Sequence, residues 1–226
     1  MLVGAGISSW TQRSTHKDRL AADRELAERK ITADIALAER KLNADIALAE
    51  KKLSLDRAFA GWKRKTEFAE QVLADFYEAQ RIIGEARSPG TARDEGVTRQ
   101  KWDDETEEET RTLNAYFVAA ERLNSKQEFF AQLHAHRYRF LAYFDRDAAK
   151  PYDDLHKIYA EILVAVRMLI VTHRQRDMGF TPQTIPQLKT TIGWGLPEND
   201  TIPARLDRIV EAIEKTCQPV IQELAG

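Results

Sequence analysis

With 34 Lys and Arg against 36 Asp and Glu in 226 residues, the chain carries a formal charge of only −2, which speaks against nucleic-acid binding. Hydrophobic residues at 43% suffice for a core, charged residues at 31% favour long helices, and ten glycines and seven prolines are few, so the composition predicts an all-α protein. A single cysteine, Cys217, excludes an internal disulfide or a multi-cysteine zinc site and agrees with a reducing cytoplasm.

Residues 1–12 form a short apolar segment. Leu2 to Trp10 is apolar or small, ends in an aromatic, and is followed by Arg13, Lys17 and Arg19. An interfacial tryptophan followed by cations reads as the cytoplasmic end of a membrane helix. The segment is far shorter than the roughly 18–20 apolar residues of a span, so this reading places the rest of a membrane helix upstream of Met1. The alternative is a mildly apolar, frayed terminus.

From residue 13 to 68 the sequence reads as a stalk. LAERKITADIA, LAERKLNADIA and LAEKKLSLDRA follow one another from Leu26 to Ala58, an eleven-residue repeat. Eleven residues in three turns is about 3.67 per turn, the hendecad period of a straight or weakly right-handed coiled coil. Leu26, Ile31, Ile35, Leu37, Leu42, Ile46, Leu48 and Leu53 fall on two narrow apolar seams, which one helix cannot bury alone. The pattern therefore predicts a homo-oligomer assembled through residues 20–68. A solvated single helix is the bland alternative, held by Lys30–Asp34, Lys41–Asp45 and Lys52–Asp56 pairs at i,i+4. This stretch is basic: Thr11 to Thr66 holds 14 Lys and Arg against 9 Asp and Glu, a surplus of +5 that leaves −7 for the remainder.

Residues 69–226 are expected to form a head, a bundle of about five helices. Ala69, Val72, Phe76, Ala79, Ile83 and Ala86 keep steps of three and four until Ser88-Pro89-Gly90 ends the first helix. A polar linker over residues 90–101 precedes a helix opened by an acidic run from Asp103 to Glu109, which suits a helix N-terminus. Its buried stripe is Leu113, Tyr116, Phe117, Ala120 and Leu123. A third helix, Lys126 to Phe144, places Phe129, Leu133, Phe140 and Phe144 on one face, with His136 at its edge. The fourth, Pro151 to Arg174, is apolar almost all round except for Glu161 and Arg167. Buried charges must be paired, so Glu161 is expected to form an internal ion pair with Arg137 or with Arg167. The last helix, from Pro203, buries Leu206, Ile209, Val210, Ile213, Cys217, Val220, Ile221 and Leu224, with a kink at Pro219. Between these two, residues 175–202 read as a long loop bearing Ile192-Gly193-Trp194-Gly195. Trp194 either plugs the end of the bundle or anchors a protein partner.

Catalytic signatures are missing: there is no GxxxxGK[ST], GxGxxG, GxSxG or HExxH. His134 and His136 point to opposite sides of a helix, and Asp153-x-x-His156 lacks the second carboxylate–histidine pair of a di-iron bundle. No metal, no cofactor and no enzymatic activity are therefore expected.

The Ala/Glu/Lys/Leu hendecad behind a short apolar start resembles the peripheral-stalk b subunit of ATP synthases, in which a membrane helix leads into a right-handed coiled coil. The resemblance covers residues 1–69 and implies an architecture; that family continues as a rod, whereas this chain goes on to a helical head. The sequence thus predicts a non-enzymatic structural or interaction protein at the inner face of a membrane, oligomerising through its coiled coil and presenting its head to an unidentified protein. The alternative is a soluble cytoplasmic sensor of a small ligand or metal, using His136, Arg137 and Glu161 in the head.

Overall fold

A computed structural model describes residues 4–90, 94–174 and 184–222, with side chains from residue 16 onward. The protein is all-helical, and the described residues contain no strand. The α-helices are α1 (Gly4–Ala86), α2 (Glu107–Asn124), α3 (Gln127–Tyr143), α4 (Lys150–Arg174), α5 (Thr184–Thr191) and α6 (Ile202–Gln222). Two 3-10 turns, Asp147–Ala149 and Pro197–Asn199, precede α4 and α6. The chain divides into two compact units, residues 1–61 and 62–226.

The first unit is α1 alone. Between Gly6 and Gly61 no glycine or proline interrupts a sequence dominated by strong helix formers. Every residue from His16 to Ala60 is exposed. Its side-chain ion pair is Arg29–Glu25, while Lys30, Lys41 and Lys52 make none, contrary to expectation. The order of charges explains the difference: an acid N-terminal to a base at i,i+4 is the stronger arrangement, and the repeat presents the reverse.

The second unit is a packed bundle. The remainder of α1 buries all six expected residues, and Phe68 and Ile82 besides. On α2, Val118 and Ala119 join the expected stripe, while Phe117 is only partly buried. A capping box starts α2: the Thr106 hydroxyl accepts from Glu109 N–H, and the Glu109 carboxylate accepts from Thr106 N–H. The acidic run is therefore divided, with Asp103 to Glu105 outside the helix. α4 packs against α2, α3, α5 and α6. Phe76, Phe140 and Tyr152 meet at its N-terminal end, with ring centres 4.9 Å (Phe76–Tyr152) and 5.4 Å (Phe140–Tyr152) apart. Pro219 lies inside α6.

Two expectations change and a third gains detail. Within the expected loop 175–202, the described residues from 184 onward are ordered, because Thr184–Thr191 is helical and Pro197–Asn199 is a 3-10 turn; Pro186 sits in the first turn of α5, where its missing N–H costs nothing. The described part of the polar linker, residues 94–101, is anchored. Gly96, at φ 81°, and Thr98 donate to the Glu121 carboxylate, tying the segment to α2. Finally, Glu161 pairs with neither Arg137 nor Arg167. Arg137 binds Asp153 and Glu161 binds Arg205, both at the surface, while Arg167 is exposed. α4 places Glu161 and Arg167 on a face that it leaves to solvent together with Val164.

Candidate functional site

Two features of the described residues stand apart from a satisfied core. The first is the apolar series on α1. Leu26, Ile31, Ile35, Leu37, Leu42, Ile46, Leu48 and Leu53 are 48–68% exposed, and Leu20, Leu55 and Phe59 extend the series. Such a density of exposed Leu and Ile on one helix is unusual for a monomer, in which large apolar patches mark interaction surfaces. Of the residues expected at a membrane, Lys17 and Arg19 are exposed, whereas the side chains of Trp10 and Arg13 lie outside the described residues. Among the described residues no helix is long and apolar enough to cross a membrane.

The second feature is the surface carrying Trp194, which the buried Arg87 holds together. Arg87, only 6% exposed just past the end of α1, donates to the carbonyls of Thr191 (2.8 Å) and Thr190 (2.9 Å) and to both oxygens of Asp200. It thereby gathers the end of α5 and the turn before α6. Immediately after α5 the chain closes a Schellman motif, in which Gly193 N–H donates to Thr190 O (2.9 Å) and Trp194 N–H to Lys189 O (2.8 Å). Gly193 adopts φ 89°, and a Cβ there would stand 1.8 Å from the Arg87 carbonyl oxygen. Glycine is thus required by conformation and by space alike. The Trp194 ring packs edge-on against Tyr116, 5.9 Å between centres, and remains 38% exposed. Lys189 sits over the Tyr116 ring, with its Nζ 5.8 Å from the ring centre, and the His173 ring centre lies 6.4 Å from that of Tyr116. Trp194 is therefore held in a fixed pose and half presented.

Arg99 and Glu105 form the other internal pair, with side chains 4% and 1% exposed. The two bonds are parallel, 2.8 and 2.6 Å, and Glu105 also accepts from Trp102 N–H and the Thr110 hydroxyl. The Arg99 guanidinium outweighs the effect of burial and holds the Glu105 carboxyl down at about 2. Trp102 lies between Arg99 and Arg174, whose guanidinium carbons are 5.4 and 4.6 Å from its ring centre.

Neither Arg87 nor Arg99 was selected by sequence reasoning, since each stands in an irregular segment where an arginine looks solvated. His136 is paired, its Nδ1 3.0 Å from Asp75 of α1. Cys217 is buried, and burial pushes its thiol up to about 11, which suits a core residue and not a nucleophile. Among the described residues no group of three or more His, Cys, Asp or Glu could hold a metal ion. In comparisons with known proteins, no family model, no curated protein and no solved structure matches the chain.

Proposed function

We propose that this protein is a non-enzymatic interaction protein that self-associates through the hendecad helix and offers its helical head to a protein partner. The observation that carries the reading is the exposed apolar series from Leu26 to Leu53. Burying a Leu or Ile completely contributes about 1.5–3 kcal/mol, so half-exposed residues contribute roughly half of that each. With partners on both seams the eight residues supply roughly 6–12 kcal/mol per helix, which is of the same order as the cost of association, about 4–15 kcal/mol. The head's contribution is Trp194, whose fixed pose lowers the cost of ordering it in an interface. Placement at a membrane face rests on the sequence of the first segment alone, on Trp10, Arg13, Lys17 and Arg19.

Sedimentation of the full chain tests the assembly. The natural sequence should sediment as a multiple of 25.9 kDa. Ile35→Asp combined with Ile46→Asp should return it to a single chain while leaving the head's melting transition in place. Sedimentation of the natural sequence as a single chain at micromolar concentration, or an unchanged mass for the variant, overturns the proposal.

A further inference from the structure

His134 on α3 and His156 on α4 face one another with ring centres 5.3 Å apart and planes inclined by 37°. Both are exposed. Among the described residues neither has a hydrogen-bond or carboxylate partner, which contrasts with His136 and its Asp75. The His156 ring also lies nearly parallel to that of Tyr159, one turn further along α4, with centres 6.5 Å apart and planes inclined by 19°. The two histidines stand on a cavity of about 350 Å³ between the helices, whose lining also includes Gln127 and Phe130.

The spacing has a chemical meaning. Metal–imidazole bonds of about 2.1 Å, with the ring centre about 1.1 Å beyond each nitrogen, put two ring centres about 5.2 Å apart at a near-tetrahedral angle. The observed 5.3 Å is that separation. Two nitrogen donors with no carboxylate beside them suit zinc, nickel or copper and not magnesium or calcium. The open cavity leaves room for water, or for the Gln127 amide oxygen, in the remaining positions.

We propose that His134 and His156 form a two-imidazole site for a nitrogen-preferring divalent transition metal, which bridges α3 to α4. The sequence hides it, because the two residues are 22 positions apart on different helices and each, taken alone, pairs with an unsuitable neighbour. The site goes beyond self-association and does not depend on it.

Calorimetric titration of the untagged full chain with nickel chloride is the test, with magnesium chloride as the control. One nickel ion per chain is expected, with no heat from magnesium. His134→Ala and His156→Ala should each lower nickel affinity by about tenfold or more, since the second imidazole acts at high effective concentration once the first is bound. Each should also abolish the nickel-induced rise in Tm, whereas His136→Ala should retain binding. Both histidines are exposed, so circular dichroism of the variants should match that of the natural chain. Absence of nickel binding, or affinity within about twofold of the natural chain's in either variant, overturns the site.

Discussion

Replacing Glu105 with glutamine isolates the energetic role of the buried pair. The substitution preserves volume and leaves the Arg99 guanidinium, 4% exposed, without its anion. Arg99 retains the carbonyl of Gln100 at 3.0 Å, the Asn114 side-chain oxygen at 3.2 Å and the face of Trp102. These are neutral partners. Removing one member of a buried ion pair costs about 3–5 kcal/mol, and the surviving bonds argue for the lower end. At about 2–4 °C per kcal/mol for a domain of this size, Glu105→Gln should lower Tm by roughly 6–12 °C. Thermal unfolding followed by tryptophan fluorescence reads this directly, because Trp102 lies against the pair. Acid should act through the same group. Its folded value, about 2, lies below the ordinary 4.5, so its stabilisation is fully present above pH 4.5 and is lost as pH falls towards 2. The natural chain should therefore lose stability across that window more steeply than the variant. A Tm within about 2 °C of the natural chain's, together with parallel acid profiles, would refute the reasoning.

Two further outcomes follow from the core. Gly193→Ala should be strongly destabilising in urea, since it combines a left-handed backbone, costing roughly 1–2 kcal/mol, with a Cβ driven into the Arg87 carbonyl; Gly61→Ala, where a Cβ meets nothing within 4 Å, should be neutral or stabilising by up to about 1 kcal/mol. The Cys217 thiol, buried and pushed up to about 11, should resist a thiol reagent at pH 8 until denaturant is added; stoichiometric labelling of the native chain would contradict that burial.

Periodicity made the helices of the head legible wherever the apolar stripe was long. Ala69 to Ala86 on α1 and Leu206 to Cys217 on α6 are buried as their spacing requires. α5 was not legible, because eight residues carrying two threonines at its end and a proline in its first turn give no amphipathic repeat. Its stability comes from elsewhere, from Arg87 and the glycine-closed turn. The all-round apolarity of α4 misled for a related reason. Apolar residues such as Val164 can face solvent at little cost, so Glu161 and Arg167 had no need to be buried. Trp194 was legible as distinctive, but its pose depends on contacts between α2 and the chain after α5 that no local pattern encodes. His134 and His156 illustrate the same limit, since residue identity was visible and juxtaposition was not.

The near-identity of the three repeats has a consequence for how copies of the chain would line up. A helix that fits against LAERKITADIA also fits against LAERKLNADIA, so two stalks displaced by one repeat forfeit one set of contacts and keep the others. Each such slip is about 16 Å along the axis. Pairing by this surface is therefore a ladder of near-equivalent alignments, in the manner of a vernier scale. The rungs differ at Ile35 and Ile46 against Arg57, where the third repeat substitutes a cation for the isoleucine. That arginine penalises any stagger that would bring it against an apolar seam, and with Leu55, which stands where the first two repeats have Ala33 and Ala44, it sets the third repeat apart from the others.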